Sequence, residues 1–353
     1  MFDVITIGSA TMDAFVESKA ATVVSVSSTV DKKEFMAYPY GSKLEIDSFE
    51  DATGGGGVNT ATNFAHLGLK TSAIIKIGND LQGKNVIRTL ENFGVDTSNV
   101  ITSEDEKTGF SIILTSFQGD RTVLAHRGPN ATISESDINF ESIRSSKWLY
   151  IAPLNGDTTK VLDKIASFAE ENDVNMAINV GTSSIKKGPE YLFKILQTAE
   201  VVILNREEAS MLTGTQVRPD SKEQKFSDEE IHPDIKSMLN QLKSTNAKIV
   251  IITDGKNGVY AFDGKKYYIC GEFPAKVLST LGAGDAFSST FVASLSETNW
   301  DIATSLKYAS INAGATVEKF GAQEGFLTFD EIKAKMAASP DYQVKVIELE
   351  TAS

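Results

Sequence analysis

The run Gly282-Ala283-Gly284-Asp285 combines small residues with a carboxylate and leads into an apolar, helix-forming stretch. Small residues just before a helix leave backbone N–H groups uncovered, and these donors attract negative charge together with the helix dipole. A carboxylate would repel a bound anion, but it is useful there if it accepts a proton while charge develops beside it. The run therefore indicates phosphoryl transfer.

A second run of small residues, Gly54 to Gly57, is followed two positions later by Asn59. Bare backbone at a helix start lets a ligand approach closely, and the Asn59 amide offers hydroxyls both a donor and an acceptor. This is typical of a contact to a sugar or to the ribose of a nucleoside. A flexible glycine turn would have a similar composition, but four glycines in line with an asparagine favour the functional interpretation.

Asp13 follows the first apolar strand after the short turn Ser9 to Met12. A strand end would present its carboxylate to the same crevice, where it could accept two hydrogen bonds from vicinal hydroxyls. A solvated acid in a turn is the alternative.

Asn205 and Glu208 stand three positions apart at the end of another apolar strand. At a helix start both side chains can face one spot and order the water shell of magnesium, which commonly keeps several waters. The same spacing also describes a capping box, in which the two side chains serve only their own helix end.

Thr253, Gly255 and Gly258 close a further strand and open into a hairpin. A hydroxyl and exposed glycine backbone could hold nucleotide phosphates, although the same residues describe a plain turn.

Composition excludes several classes of partner. The chain has 353 residues, 41% apolar and 23% charged, which predicts one large globular domain, with or without an appendage. With 34 Lys and Arg against 47 Asp and Glu, the net charge is −13 and no basic run is present, so we expect neither nucleic acid nor membrane as partner. The single Cys270 fits a reducing compartment. Without a signal-like start or a spanning apolar run, we expect a cytoplasmic protein.

Short apolar runs alternate with segments of helical periodicity along the chain. Such a pattern predicts a mostly parallel sheet covered by helices on both faces, with ligands beyond the C-terminal strand ends. The predicted strands are Phe2 to Gly8, Thr71 to Ile77, Trp148 to Ile151, Asn175 to Val180, Val201 to Asn205 and Lys248 to Thr253. The predicted helices include Asn59 to Leu67, Thr158 to Asn172, Pro189 to Thr198 and Asp234 to Ser244.

Two segments, of about 19–47 and 107–127, interrupt this alternation. The first is rich in Thr, Val, Ser and Tyr, and the second reads as a hairpin across the turn Gln118-Gly119-Asp120. We assign both to a small β lid, which would exclude water from the site.

The rest of the chain adds no further chemistry. We interpret residues 1–353 as one domain carrying the inserted lid, and the polar segment Thr213 to Pro233 as a surface loop. The three histidines share no metal-ligand spacing, and without a Gly-x-Ser-x-Gly elbow hydrolase chemistry has no support.

Taken in order along the chain, these motifs resemble the ribokinase-like carbohydrate kinases of the phosphofructokinase-B type. The resemblance covers roughly Phe2 to Leu327, includes the closing Lys319-Phe320-Gly321-Ala322, and is most specific at Gly-Ala-Gly-Asp. It implies an α/β three-layer sandwich with a central, mostly parallel sheet and a small β-sheet lid.

The resemblance implies ATP-dependent phosphorylation of a primary alcohol on a sugar of ribose or fructose type, with a nucleoside such as adenosine as the alternative acceptor. Asp285 would accept the hydroxyl proton, and the N–H groups of Gly282, Ala283 and Gly284 would form the anion hole. The other implied roles are acceptor binding by Asp13, Gly55, Gly56 and Asn59, and binding of ATP and Mg²⁺ by Asn205, Glu208 (through water), Thr253, Gly255, Gly258 and, on the adenine side, Asn312.

Two departures from the family pattern bear on substrate and cofactor. Ser279-Thr280-Leu281-Gly282 stands where the family commonly has Asp-Thr-Thr-Gly, so the carboxylate that often helps to hold a monovalent cation is missing and potassium activation is in question. Gly56 takes the place of a lysine found in ribokinases proper, which leaves fructokinase-like and nucleoside-kinase-like use open.

Two other classes of function compete with a kinase. The sheet pattern would also permit a nicotinamide-dependent oxidoreductase, but Gly8-Ser9-Ala10 lacks the required Gly-x-Gly-x-x-Gly. A non-catalytic binding protein on the same fold would have no need of Asp285. Apolar alternation in Ser111 to Phe117 and Thr122 to Ala125 further suggests that the lid pairs two copies of the chain in a homodimer.

Overall fold

A computed structural model describes residues 1–27, 32–115, 121–217 and 231–349 of the chain. The strands are β1 (Phe2–Ile7), β2 (Thr11–Glu17), β3 (Thr22–Ser27), β4 (Lys32–Ala37), β5 (Ser48–Gly54), β6 (Thr71–Ile74), β7 (Lys76–Gly78), β8 (Ile101–Ser103), β9 (Gly109–Thr115), β10 (Arg121–His126), β11 (Ser146–Ile151), β12 (Asn175–Asn179), β13 (Val201–Asn205), β14 (Ile249–Thr253), β15 (Val259–Phe262), β16 (Lys266–Cys270) and β17 (Val344–Glu348). The helices are α1 (Gly56–His66), α2 (Leu81–Asn92), α3 (Phe140–Arg144), α4 (Leu162–Glu171), α5 (Thr182–Ile185), α6 (Pro189–Leu196), α7 (Arg206–Thr213), α8 (Pro233–Lys243), α9 (Ala283–Glu297), α10 (Ile302–Val317) and α11 (Phe329–Ala337). None of these described helices combines the length and apolarity needed to cross a membrane.

Nine of the described strands form one sheet, in the order β17-β16-β15-β14-β13-β12-β11-β1-β6. The strands from β14 to β6 run parallel, whereas β15, β16 and β17 extend the sheet as antiparallel neighbours. The parallel strands are apolar throughout because both of their faces are covered. In β13, for example, Val201 to Leu204 are all buried. The predicted mostly parallel sheet is confirmed.

Two hydrophobic cores lie on opposite faces of this sheet. Successive residues of a strand point to opposite faces, so Ile5 and Leu149 pack in one core, with α4, α6, α7 and α8. Their neighbours Val4 and Tyr150 pack in the other core, with α1, α9 and α10. The result is the predicted three-layer sandwich.

A small second sheet, here called the lid sheet, has the strand order β10-β9-β2-β5, while β3 and β4 pair as a separate two-stranded sheet. The separate small sheet agrees with the prediction, but β2 and β5 lie outside the segments assigned to it. The polar sequence of β5, Ser48 to Gly54, carries little strand signal. It becomes a strand by pairing along its whole length with β2, a contact that only the tertiary structure supplies.

Parts of the predicted loops fall outside the described residues. Strands β9 and β10 pair antiparallel as expected, with Thr115 opposite Arg121, but the turn Gln118-Gly119-Asp120 between them lies outside the described residues. The same holds for most of the predicted surface loop, residues 218–230. The predicted strand Thr71 to Ile77 is divided into β6 and β7, and β7 pairs with β8.

Candidate active site

Helix α9 begins within the Gly-Ala-Gly-Asp run. Its N-cap residue, Gly282, has a φ of 77°, and a Cβ atom there would lie 2.6 Å from Ala322. The left-handed backbone and the close approach both require glycine. The first intrahelical bond is donated by Ala286 N to Gly282 O, at 2.8 Å. The N–H groups of residues 283–285 precede this bond and form the end of the helix that attracts an anion.

Asp285 lies in the first turn of α9 and is held by a residue of α1. Asn59 Nδ2 donates a hydrogen bond to Asp285 Oδ2 at 2.8 Å. Burial raises the pKa of Asp285 above its ordinary value, and the hydrogen bond from Asn59 partly opposes this shift. A carboxylate with a raised pKa is a stronger proton acceptor than an ordinary aspartate once it is ionised.

Gln323 anchors Asn59 from the other side, and the sequence did not reveal it. Its Nε2 donates to Asn59 Oδ1 at 2.9 Å and to Thr53 O at 3.1 Å. The Asn59 amide is thereby oriented with its NH₂ group toward Asp285, because its oxygen is already used as an acceptor. Gln323 directly follows the Lys319-Phe320-Gly321-Ala322 motif, and that proximity is the one signal that could have identified it.

Asp13 lies within strand β2 of the lid sheet, not in the turn before it. It is buried, with 7% of its surface exposed. Burial raises its pKa, while hydrogen bonds with Ser111 and Thr11 oppose the shift. A Cβ atom on Gly54 would lie 2.2 Å from Asp13 Oδ2, so the first glycine of the run makes room for this carboxylate.

The other glycines of the run bring the start of α1 against the end of β1. Gly55 has a φ of 93°, and a Cβ atom there would lie 2.5 Å from Ser9 O. A Cβ atom on Gly56 would lie 3.6 Å from Asp285 Oδ1. The backbone of the run thus passes between Asp13 and Asp285, and these two carboxylates share one region with Asn59.

A cavity of about 370 Å³, here called the α9 cavity, adjoins the start of α9 on another side. Ala283 and Gly284 line it together with Thr253, Gly255 and Gly258. The full lining is Thr253, Gly255, Lys256, Gly258, Val259, Gly271, Glu272, Phe273, Val277, Thr280, Ala283, Gly284, Phe287, Ser310, Ala313, Gly314 and Val317. Its volume and its largely apolar walls with a few polar groups are typical of small-molecule sites.

Two lining residues that sequence reasoning missed shape the apolar wall of the α9 cavity. A Cβ atom on Gly314 would lie 3.1 Å from the ring of Phe273, so the helix α10 can approach that ring only with glycine at this position. Neither residue stands in a motif, because their pairing depends on how α10 packs beside the segment after β16.

Asn205 and Glu208 form the capping box of α7. Asn205 Oδ1 accepts from Glu208 N at 2.8 Å, and Glu208 Oε2 accepts from Asn205 N at 3.0 Å. Asn205 pairs in register with Thr253 on the neighbouring strand, which lines the α9 cavity. Asn205 therefore lies beside a residue of this cavity, and neither Asn205 nor Glu208 lines it. Burial raises the pKa of Glu208 to about 7.

Glu208 offers a single carboxylate, and one carboxylate fits a magnesium ion that keeps most of its waters. No cluster of three or more His, Cys, Asp or Glu side chains suited to a metal occurs among the described residues. Magnesium needs no such cluster, because it is usually bound by one or two carboxylates, substrate phosphates and several waters. This carboxylate lies in the first turn of α7, just after the end of β13.

Asn312 is not brought to this site. Its side chain is fully buried, donates to Asn63 Oδ1 at 3.0 Å and Thr290 Oγ1 at 2.7 Å, and accepts from Leu327 N at 2.8 Å. These bonds tie α10 to α1 and α9. Asn312 thus has internal partners, whereas its helix neighbours Ala313 and Gly314 line the α9 cavity.

A family model, described as the pfkB family of carbohydrate kinases, matches residues 20–328. Among curated relatives, a ribokinase of Staphylococcus aureus is 26% identical over 294 residues, covering 83% of this chain and 91% of the relative. A 5-dehydro-2-deoxygluconokinase of Bacillus licheniformis is 28% identical over 300 residues, covering 82% of this chain and 88% of the relative.

A longer relative also matches. The bifunctional ribokinase/ribose-5-phosphate isomerase A of Fructilactobacillus sanfranciscensis is 29% identical over 318 residues, which cover 88% of this chain. The chain spans only 55% of that relative's length.

Solved structures share the fold. The ribokinase of Arabidopsis thaliana, solved with ribose and ATP, has a TM-score of 0.75 at 20% identity, covering 94% of this chain and 98% of its own. A nucleoside kinase of Burkholderia thailandensis, solved with inosine, has a TM-score of 0.73 at 16% identity, covering 96% of this chain and 99% of its own.

Proposed function

This chain belongs to the pfkB family of carbohydrate kinases, and from that premise we propose that it transfers the γ-phosphoryl group of ATP to a primary hydroxyl of a ribose- or fructose-like sugar. As a family member it is a phosphotransferase with an alcohol group as acceptor. The observation that carries the proposal is the double role of the start of α9. Its residues Ala283 and Gly284 line the α9 cavity, while Asp285, one residue on, is bonded to Asn59.

Asp285 acts as the general base in this proposal. The acceptor hydroxyl donates its proton to the carboxylate while its oxygen attacks the γ-phosphorus, and the bond from that phosphorus to the bridging oxygen of ADP breaks. Positioning and electrostatic stabilisation supply most of the catalysis in such a transfer. The N–H groups at the start of α9, from Gly282 to Gly284, stabilise the charge on the transferring group.

The acceptor lies between Asp13 and Asp285. Asp13 accepts hydrogen bonds from sugar hydroxyls, and Asn59 both orients Asp285 and contacts the acceptor. The backbone of Gly55 and Gly56 lets the sugar approach closely because no side chain intervenes.

ATP occupies the α9 cavity, where Thr253, Gly255 and Gly258 contact it. Asn205 and Glu208 act at its phosphate end, where Glu208 orders the water shell of the magnesium ion that neutralises phosphate charge. Asn312 has no direct contact with adenine in this proposal, since its amide is used between helices. We place the enzyme in the cytoplasm, where ATP is available as the donor. Residues 1–353 form one kinase domain in this proposal.

We further propose that turnover does not require potassium. Ser279 stands where the family commonly has an aspartate, and its hydroxyl accepts a hydrogen bond from Leu281 N at 3.3 Å. A neutral hydroxyl attracts a monovalent cation far less than a carboxylate does.

The lid sheet joins two copies of the chain in this proposal. Strand β10 is an edge strand of the lid sheet. Its consecutive residues Val123 and Leu124 point to opposite faces of the sheet, and both are exposed, by 48% and 53%. On the other edge strand Phe49 is 58% exposed. Exposed edges with large apolar side chains are typical of interfaces between copies.

An ATP-consumption screen tests the proposed acceptor. We expect turnover with ribose, fructose or a related sugar such as 5-dehydro-2-deoxygluconate, at equal rates in sodium and potassium salts. Preferential turnover of adenosine or inosine would replace the sugar by a nucleoside, and the absence of turnover with every acceptor would reject the proposed function. A dependence on potassium would contradict the interpretation of Ser279.

A further inference from the structure

A second cavity, here called the α2 cavity, has a volume of about 350 Å³ and lies between helix α2, the lid strands β2 and β5, and residues 321–324. Met12 and Thr53, which are paired in register, both line it. Asp13 is the next residue of β2 and points to the opposite face of the strand. Ala52, which is paired with Asp13, also lines the α2 cavity, but none of the residues assigned to the acceptor site or to the general base does.

Helix α2 presents a row of hydrogen-bond donors to the α2 cavity. Asn85, Arg88 and Asn92 all line it, and their spacing places them on one face of the helix. Arg88 is exposed, and it forms no ion pair with any residue that the structure describes. The N–H donors of the Arg88 guanidinium are thus available to a ligand, in a cavity that the side-chain amides of Asn85 and Asn92 also line.

The opposite wall carries acceptors. Asp51 of β5 and Glu324 both line the α2 cavity, and neither forms an ion pair with a described residue. Arg88 therefore faces a cavity with two carboxylates and is paired with neither of them. A guanidinium with flanking amides suits a phosphate, and carboxylates suit vicinal hydroxyls.

From this arrangement we propose that the α2 cavity binds a small phosphorylated polyhydroxy compound, such as a sugar phosphate. Arg88 with Asn85 and Asn92 holds the phosphate, and Asp51 and Glu324 accept hydrogen bonds from the hydroxyls. A volume of about 350 Å³ lies within the range of pockets for small ligands.

Gln323 connects the α2 cavity to Asp285. It lines the cavity, its Nε2 donates to Asn59 Oδ1 at 2.9 Å, and Asn59 Nδ2 donates to Asp285 Oδ2 at 2.8 Å. A ligand that hydrogen-bonds to Gln323 competes for the amide that orients Asn59. Occupancy of the α2 cavity therefore lowers turnover, and this second step rests on the proposed function of Asp285.

Calorimetric titration without ATP or acceptor tests binding separately from activity. The probes are ribose 5-phosphate, fructose 6-phosphate, inorganic phosphate and unphosphorylated ribose. We expect at least one of the two sugar phosphates to bind at least tenfold more tightly than inorganic phosphate; the comparison with ribose, which the proposed acceptor site itself binds, is made in Asp13→Asn. Arg88→Ala should weaken that binding at least tenfold, since hydrogen bonds to charged groups are among the stronger ones.

Two variants separate the α2 cavity from the acceptor site. Lys84→Ala removes an exposed charge from the same helix without touching the cavity, and Asp13→Asn alters the acceptor site. Both should retain the binding that Arg88→Ala loses. Unchanged affinity in Arg88→Ala, binding lost only in Asp13→Asn, or failure of both sugar phosphates to bind would each overturn the proposal.

Turnover assays test the connection through Gln323. The sugar phosphate that binds should lower kcat in the wild-type enzyme and in Lys84→Ala, and it should have little effect on kcat in Arg88→Ala. Binding to the α2 cavity without any change in kcat would reject the connection while leaving the site intact. If no acceptor supports turnover at all, the proposed function fails, and the titration still decides whether the site exists.

Discussion

At the scale of single residues, the chemistry depends on how Asp285 is held. Its partner Asn59 has its oxygen engaged by Gln323 and its NH₂ group directed at the carboxylate. An amide fixed at both ends cannot rotate to offer its oxygen to Asp285, so it always stabilises the ionised form of that carboxyl group. Burial opposes this effect and raises the pKa.

Asp285→Asn tests the general base. The substitution keeps the size of the side chain but removes its capacity to accept a proton, so we expect kcat to fall by about 10²- to 10⁴-fold. Affinity for ATP, measured by calorimetry, should change little because the N–H groups of α9 remain. An Asp285→Asn enzyme with near-normal kcat would show that another group accepts the proton.

Glu208 should make magnesium use dependent on pH. Burial raises its pKa to about 7 from an ordinary value of 4.5, so the carboxylate becomes protonated as the pH falls through about 7 and no longer orders the ion's water shell. We expect the KM for magnesium to rise below pH 7 in the wild-type enzyme. In Glu208→Gln it should be about tenfold higher at pH 8 and show no step near pH 7.

The raised pKa of Glu208 weakens magnesium use at low pH, but it affects folding stability in the opposite direction. A carboxyl group with a raised pKa binds its proton more tightly in the folded state, so its contribution favours folding at low pH and is lost as the pH rises from 4.5 to about 7. Glu208→Gln should remove this part of the pH dependence of the free energy of unfolding, measured in urea. A wild-type pH profile of magnesium KM that persists in Glu208→Gln would assign the step to another group.

At the scale of elements, the start of α9 depends on two glycines with different functions. Gly282 needs its left-handed conformation and close contact with Ala322, whereas a Cβ atom on Gly284 would meet no atom within 4 Å. The first glycine therefore shapes the turn, and the second leaves the helix end open toward the α9 cavity.

Substitution by alanine should separate these functions. Gly282→Ala should lower the free energy of unfolding by about 1–2 kcal/mol for the backbone conformation alone, with a further loss from the contact with Ala322. Gly284→Ala should leave stability unchanged or slightly raised but increase the KM for ATP, because its methyl group enters the cavity. Urea unfolding and steady-state kinetics measure the two effects, and equal destabilisation by both variants would contradict this assignment.

At the scale of the whole molecule, the lid sheet contributes Asp13 to the proposed acceptor site and leaves apolar side chains exposed on both of its edge strands. A monomer gains nothing from exposing Val123 and Leu124. The proposed pairing of two lids would cover them and hold each lid in place over its own site.

Light scattering should give a particle of twice the mass of one chain. Val123→Lys combined with Leu124→Lys should shift the equilibrium toward the monomer, because a charged side chain resists burial between two sheets. The matched control is Met211→Lys on α7, which alters an equally exposed apolar residue (52%) away from the lid. A monomeric wild-type protein at working concentration would reject the interface.

Local features of the sequence were enough to predict the architecture. The central strands are apolar throughout, and the helices between them are periodic, because burial on two faces or on one face imposes those patterns directly on the chain. The anion-attracting helix start at Gly-Ala-Gly-Asp could be predicted for the same reason, because a helix start and its uncovered N–H donors depend only on neighbouring residues. The fold and the kinase family were predicted from patterns that each span only a few residues, and both predictions are confirmed.

The arrangement of the site was decided by contacts between distant parts of the chain. Asn59 and Asp285 are 226 positions apart, and Gln323 and Asn59 are 264 apart. No local pattern records such pairs, and for this reason neither Gln323 nor the internal hydrogen bonds of Asn312 were predicted. The lid strand β5 likewise forms only because it pairs with β2. The α2 cavity forms only where these two strands meet α2 and residues 321–324. The sequence alone thus determined which residues could do chemistry, and tertiary packing decided which of them meet.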